Sequence, residues 1–239
     1  MNLSAPPRHF DPDEPEWIDR PGLDRALLRQ ELQLLAGLNQ RFGGHQLMLH
    51  YVKRFVTTHR VKSLNILDLA TGSADIPRAI AVWAREHKLP VTITTVDGNP
   101  GVLEVAREAC RDWPEIQFAR HDLRALPYAP DSFDLVLCSL ALHHFTTADT
   151  VTVLRRLSEL AKRGYLVNDL RRNWPAIWAA DKFSRKFAES EIFMNDARQS
   201  CRAAFTVGEL WTMAEQAGLR RFQIRRHQWF FRMVLAGSK

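Results

Sequence analysis

Ten residues constrain this chain more than any others: Ile66-Leu67-Asp68-Leu69-Ala70-Thr71-Gly72-Ser73-Ala74-Asp75. An apolar run ends on a carboxylate, a turn of small residues follows, and Asp75-Ile76-Pro77 has the form of a helix start. About one strand–helix unit later the pattern returns as Val91-Thr92-Ile93-Thr94-Thr95-Val96-Asp97, a second apolar strand ending on an acid. Small residues let the backbone approach a ligand, and the second acid can accept hydrogen bonds from ribose hydroxyls; an open α/β sheet holds a nucleoside in this way.

The same alternation continues along the chain. Strands are expected at 64–69, 91–96, 116–119, 133–139 and 165–167, with helices near 76–86, 101–110 and 147–161 between them. Thr206 with Glu209 three residues later reads as a capped helix start, and Gly218 as that helix's end. The segments 222–231 and 233–235 alternate like an antiparallel hairpin. The fold class is therefore α/β: a doubly wound, mostly parallel seven-stranded sheet with a C-terminal antiparallel hairpin and helical lid segments. A single domain is expected over 1–239. Residues 1–60 form an N-terminal arm and helical lid, 61–170 the ligand-binding core, 171–204 a helical lid insertion and 205–239 the C-terminal helix and strands. Within the first part, the proline-rich and acidic stretch 1–22 reads as an extended, partly mobile arm. Helices follow from Leu23 and over 45–58, broken at Gly43-Gly44.

Composition narrows the partners. With 239 residues, 46% of them hydrophobic, the chain can bury one sizeable core. The formal charge of +6 permits nucleic acid as a partner without requiring it. The basic residues occur as pairs, Arg155-Arg156, Arg171-Arg172, Arg220-Arg221 and Arg225-Arg226, which read as solvated faces rather than an RNA track. Three distant cysteines without a CxxC argue against a disulfide framework or structural zinc, so no metal is expected and a reducing cytoplasm fits. The N-terminus lacks the apolar core of a signal peptide, and no run is long enough to span a membrane.

Four loops carry a family resemblance: 68–75; Asp97-Gly98-Asn99-Pro100; Asp122-Leu123 within His121–Pro127; and Phe133-Asp134-Leu135-Val136-Leu137-Cys138-Ser139-Leu140-Ala141-Leu142-His143-His144. In order and character they resemble the class I S-adenosylmethionine-dependent methyltransferases, nearest the ubiquinone/menaquinone-biosynthesis branch. The resemblance covers roughly 64–170 and resumes at Phe205. It departs from the family pattern at Ala70 and Ala74, where glycine is frequent; Ala74 implies a negative φ at that position and a loop set slightly back from the cofactor.

The resemblance implies S-adenosylmethionine as cofactor and S-adenosylhomocysteine as product. The backbone of Ala70, Thr71, Gly72 and Ser73 would cradle the methionyl end, and Asp68 would orient that loop. Asp97, with Gly98 and Asn99, would take the ribose, Asp122 and Leu123 the adenine, and Ser139 would complete the pocket. Asn99 could instead cap the following helix. For proton removal at the acceptor, His144 is the preferred base at a pKa near neutrality, with His143 and Asp169 as alternatives. Arg171 could hold an anionic acceptor group, and His227 reads as structural. The aromatic segment holding Trp174, Trp178, Phe183, Phe187 and Phe193 would enclose an apolar or aromatic small molecule, a phenolic hydroxyl or a quinone- or polyketide-type compound. An RNA methyltransferase is the first rival, disfavoured because Asn168-Asp169 is followed by Leu170-Arg171 rather than the Pro-Pro-aromatic run of nucleobase amino methylation. A cofactor-binding protein without catalysis is the second. Nothing in the sequence sets the oligomeric state.

Overall fold

The computed structural model describes residues 5–20, 22–187, 190–227 and 231–239, with the backbone alone for 183–187. Five strands, β1 (Leu64–Leu69), β2 (Val91–Asp97), β3 (Ile116–Arg120), β4 (Phe133–Ser139) and β5 (Ala161–Leu170), alternate with helices. The helices are α3 (Asp75–Glu86), α4 (Pro100–Ala109) and α5 (Thr147–Leu160), preceded by α1 (Arg25–Arg41) and α2 (Gly44–His59). Two further helices, α6 (Trp174–Phe187) and α7 (Glu191–Ala203), then lead into α8 (Val207–Gln216), β6 (Phe222–His227) and β7 (Arg232–Ser238). The seven strands lie in the order β3-β2-β1-β4-β5-β7-β6. The first five pair in parallel, and β7 pairs antiparallel with both β5 and β6. The chain thus runs outward from β1 on one side and returns to place β4 on the other. The crevice outside the carboxyl ends of β1 and β4 is where an open sheet of this kind takes a ligand.

Local chemistry sets the element ends. Asp24 accepts the Ala26 and Leu27 amides to start α1, Asn99 caps α4 ahead of Pro100, and Thr146 caps α5. Thr206 and Glu209 form the expected capping box on α8, and Gly218 takes a φ of +84° just past its end. Both sheet faces are covered. On one, Ile66, Ile93, Leu135 and Leu137 pack against α2 and α3; on the other, Leu67, Leu69, Val136 and Val167 pack against α5 and α8.

Two expectations change. The 1–22 arm is not free where it is described. The Arg172 guanidinium donates to the Pro6 carbonyl (2.7 Å), Arg8 donates to the carbonyls of Ala203 (2.6 Å) and Phe145 (2.8 Å), and Asp196 on α7 accepts the Trp17 and Ile18 amides (2.9 and 3.0 Å). Arg172 is accordingly buried rather than part of a solvated pair. β5 is also longer than the expected 165–167, because β4 and β7 pair with it on both sides from Gly164 onward. Residues 228–230 of the expected hairpin lie outside the described residues.

Candidate active site

The carboxyl ends of β1, β2 and β4 open on one cavity of about 1330 Å³. After β1 the backbone adopts left-handed φ at Ala70 (+54°), Gly72 (+55°) and Ala74 (+55°). The expectation of a negative φ at Ala74 is therefore wrong. Two alanines occupy a conformation that costs an L-residue roughly 1–2 kcal/mol, a strain that persists only where the surroundings impose it. The surroundings are specific. The Thr71 amide donates to the Val96 carbonyl (3.1 Å) and the Ala74 amide to the Thr71 carbonyl (3.0 Å), while the Gly72 amide donates to Asp97 Oδ2 (3.2 Å). The other Asp97 oxygen accepts the Asn99 amide (3.0 Å). One carboxylate thus ties the first two loops together at the cavity wall, and its burial raises its pKa.

Asp68, Thr71 and Ser73 also line this wall. Burial, with Asp75 and Asp97 nearby, pushes the Asp68 carboxyl up to about 7. The Thr71 hydroxyl opposes that rise, although its Oγ1 has no well-aligned hydrogen-bond partner among the described residues. A buried acid poised to ionise and an orphaned hydroxyl beside it fit a cationic ligand with polar ends, as S-adenosylmethionine is. Gly98 and Leu123 line the cavity, as do Asp122 and Ser139. Asp122 is held by Arg124 (2.6 Å), which lowers its pKa, and the Ser139 hydroxyl accepts from Asn168 (2.8 Å). Asn99 is not among the lining residues, and its Oδ1 accepts the Gly101 and Val102 amides as the cap of α4.

On the opposite wall, His143 and His144 follow β4 in a short 3-10 turn, with ring centroids 4.3 Å apart. His143 Nδ1 hydrogen-bonds Asp169 Oδ1 (2.7 Å), and its Nε2 lies 3.8 Å from Glu16 Oε1. Asp169 lies behind His143 and is not itself on the cavity wall. It also accepts the Leu142 and Leu170 amides (both 2.7 Å). Burial alone would raise its carboxyl; His143 and the Leu170 amide hold it below the ordinary range. It holds the His143 ring through Nδ1. His144 differs from the expected neutral base. Burial would lower its pKa, but Asp19 at 3.2 Å and Glu16 at 4.0 Å hold it up to about 9, so the ring is cationic at pH 7. Burial raises Glu16, against the two histidines. Asp19 and His144 are close enough to Asp97 to act on it electrostatically, so the two walls face one another across the cavity.

Several cavity residues were not legible in the sequence. Glu16 and Asp19 lie in the stretch that reads as mobile. Asp75 does more than start α3: its Oδ2 accepts from Asn39 Nδ2 and pairs with His45 Nε2 (both 2.7 Å), which keeps its pKa low despite burial. Asn39 in turn accepts from Arg232 Nη2 (3.0 Å). Arg232 is buried, its Nε and Nη1 lack partners among the described residues, and burial lowers its pKa to about 10. Arg232 lines the cavity, as do Arg120 and Arg124, whereas Arg171 does not. The lid also differs from expectation. Trp174 and Trp178 are exposed (51% and 59%), while Ala176, Ala179 and Ala180 face the cavity with Phe193. On a helix, positions 174 and 178 share one face and 176, 179 and 180 the other. The side chains of Phe183 and Phe187 lie outside the described residues. His227 pairs with the Tyr51 hydroxyl (3.0 Å), a packing role as expected.

Comparison with known proteins agrees with this geometry. Residues 66–164, which hold all four loops, match the family described as "Methyltransferase domain". A demethylmenaquinone methyltransferase from Staphylococcus haemolyticus is 24% identical over 171 residues, covering 66% of this chain and 70% of that protein. The magnesium protoporphyrin IX methyltransferase of Synechocystis PCC 6803, solved with bound S-adenosylhomocysteine, superposes with a TM-score of 0.59 at 16% identity, covering 83% and 84% of the two chains. A methyltransferase from Aquifex aeolicus matches 96% of this chain and 99% of its own at a TM-score of 0.56 and 12% identity. Fold and site define a nucleoside-binding α/β enzyme of the methyltransferase type. Residues 66–164 carry a methyltransferase domain, and S-adenosylmethionine is the cofactor.

Proposed function

We propose that this methyltransferase acts on a lipophilic phenol or quinone-type small molecule, methylating an oxygen. The observation that carries the reading is the single cavity joining the cofactor loops to an apolar wall. Its volume of about 1330 Å³ exceeds the roughly 300–1,000 Å³ of a one-ligand pocket, leaving room for an acceptor beside the cofactor. The acceptor side is walled by Ile18, Leu32 and Leu35, by Phe42, and by the lid alanines with Phe193. No helix among the described residues is long and apolar enough to cross a membrane.

Bound against residues 70–73 and Asp97, S-adenosylmethionine would supply an electrophilic methyl, which leaves sulfur as the acceptor oxygen bonds to it. The chain's own work is alignment and proton removal. Alignment alone can supply much of the rate when the acceptor is held in line. His143 is the residue placed to accept the proton. Asp169 takes its Nδ1–H, which leaves Nε2 as the free lone pair toward the cavity. His144, cationic beside it, would stabilise a developing phenolate. Arg232, two of whose nitrogens have no partner among the described residues, would meet the cofactor's carboxylate, held by the chain Arg232–Asn39–Asp75 that ends at the first loop. The test is incubation with isotopically labelled cofactor and a panel of alkyl-substituted phenols and hydroquinones, read by mass spectrometry. One added methyl on an oxygen is expected; cofactor binding without transfer to any member, or transfer to RNA instead, would overturn the assignment.

A further inference from the structure

Three donor groups converge on one point of the acceptor wall: the Glu16 carboxylate and the two imidazoles of His143 and His144. Their candidate ligand atoms all lie within 4.8 Å of one another. The approach of Glu16 to the rings is too long for hydrogen bonding, 3.8 Å to His143 Nε2 and 4.0 Å to His144 Nε2. A carboxylate and two rings packed this closely without direct hydrogen bonds leave a gap between them. The outer side of each ring explains how the gap is kept. His143 Nδ1 is anchored by Asp169 (2.7 Å) and His144 Nδ1 by Asp19 (3.2 Å), so both rings turn Nε2 inward. Glu16 is fixed from behind by the Ser200 hydroxyl, which donates to Oε1 (2.5 Å). Metal-binding histidines have this outer arrangement: a carboxylate on the far nitrogen sets tautomer and ring orientation and makes the near nitrogen a better donor.

We propose that Glu16, His143 and His144 form a binding site for a first-row divalent transition ion of the zinc class. Two imidazole nitrogens and one carboxylate oxygen suit such an ion better than magnesium or calcium, which prefer all-oxygen shells. Donor atoms sharing one ion at about 2.0–2.1 Å stand roughly 3–4 Å apart, so small side-chain rotations close the observed spread. Three protein ligands leave at least one position open on the cavity side, as in zinc sites that act on a bound oxygen. The ligands come from the arm and from the turn after β4, so metal uptake would also pin the arm over the cavity.

The proposal leans on the phenol-methylation reading only for what the ion would do. With the ion bound, both imidazoles are neutral ligands, so the ion takes the place of His143 as base and of His144 as cation, and a phenol oxygen coordinated there would lose its proton to solvent more readily. Its lone pair would then form the new carbon–oxygen bond as the sulfur–carbon bond breaks and that electron pair returns to sulfur.

The experiment is titration of chelator-treated, tag-free protein with Co²⁺, followed by visible absorption, with cofactor affinity measured by calorimetry on the same sample. One Co²⁺ per chain with ligand-field bands is expected, displaced by Zn²⁺. Apparent affinity should fall at least about tenfold in both Glu16→Ala and His144→Ala, since each removes one of three ligands. His144→Ala guards against a folding artefact, because His144 is only partly buried. Absence of uptake up to about 100 μM metal, where a three-ligand site should be filled, would overturn the site. So would uptake unchanged in both variants, which would place the ion elsewhere and leave Glu16 and the histidines as an ion-pair network. Either result with cofactor binding intact leaves the methyl-transfer reading standing; loss of cofactor binding in the parent protein would strike that reading instead.

Discussion

The two walls of the cavity are built in different ways. The cofactor wall comes from short runs at strand ends, 68–73 after β1, Asp97 and Gly98 after β2, Leu123 beyond β3 and Ser139 at the end of β4. Each run is fixed by the strand before it, and the Gly72–Asp97 hydrogen bond joins neighbouring strands that already lie in register. The opposite wall, proposed to face the acceptor, draws Glu16 and Asp19 from the arm, His143 and His144 from the turn after β4, and Asp196 and Ser200 from α7. Nothing local positions those groups relative to one another. They depend on contacts between residues more than 100 positions apart, such as Ser200 with Glu16 and Arg8 with Phe145. A wall made of strand ends is inherited from the sheet, and can be shared by relatives with different acceptors. A wall made of distant pieces can change without disturbing the sheet.

The largest expected separation between the walls is in turnover. His143→Ala should lower kcat by about 10²–10⁴-fold, the usual contribution of a positioned acid or base, with cofactor Kd changed less than about threefold. Steady-state kinetics beside calorimetry checks this. Equal losses in both would mean that the histidine supports the sheet end rather than the reaction. The reverse pattern is expected for Asp97→Ala. Loss of charge-assisted bonds worth roughly 1.5–3 kcal/mol should weaken cofactor binding about 10- to 150-fold. Calorimetric Kd values for the variant test it, and unchanged affinity would remove Asp97 from the ribose site.

Asp68 sharpens the contrast through pH. Its carboxyl is raised to about 7 by burial, with Asp75 of α3 and Asp97 of β2 adding to the rise and Thr71 opposing it. Buried Cys138 on β4 lies close by, and His45 of α2 faces it only through its pairing with Asp75. The folded-state value lies above the unfolded value of about 3.9, so the folded apoprotein holds more protons between them. This group's contribution to apoprotein stability therefore declines as pH rises from about 4 to 7. A cation docked beside Asp68 favours the ionised form and reverses the trend. Cofactor affinity should accordingly rise by up to about tenfold between pH 6 and 8. Asp68→Asn, with nothing to titrate there, separates this from titration of the ligand, and an equally steep profile in that variant would break the assignment.

Legibility in the sequence follows the same division. β1 and β4 could be bounded to the residue because apolar runs there stop at acids or small turns. The capping box at Thr206 and Glu209 was legible because both partners lie within one turn. The arm was misread because proline and acidic content describe local preference only, whereas buried Arg172 and Asp196 hold it from elsewhere in the chain. Arg232 falls in no sequence motif, and only the pairing of β7 beside β5 buries it. The lid tryptophans drew attention by size, yet helix phase turned the alanines inward.

The smallest effect tests the one place where local reasoning failed within the legible wall. Ala70 and Ala74 share nearly the same left-handed φ, so each carries the same backbone cost of roughly 1–2 kcal/mol. Glycine relieves that cost but loses about 0.5–1 kcal/mol to greater freedom in the unfolded chain. The two sites differ in what the methyl group does. Ala74 is fully buried among the residues under α2 and α3, so removing its methyl forfeits about 0.8 kcal/mol of burial. Ala70 is only partly buried at the cavity edge and loses less. Ala70→Gly should therefore raise Tm by about 1–4 °C, while Ala74→Gly leaves it within about 1 °C. Thermal unfolding of the two variants side by side decides the matter. If Ala74→Gly were the more stabilising, backbone strain at the start of α3 would outweigh packing there, and the first loop would be held by tension rather than by its neighbours.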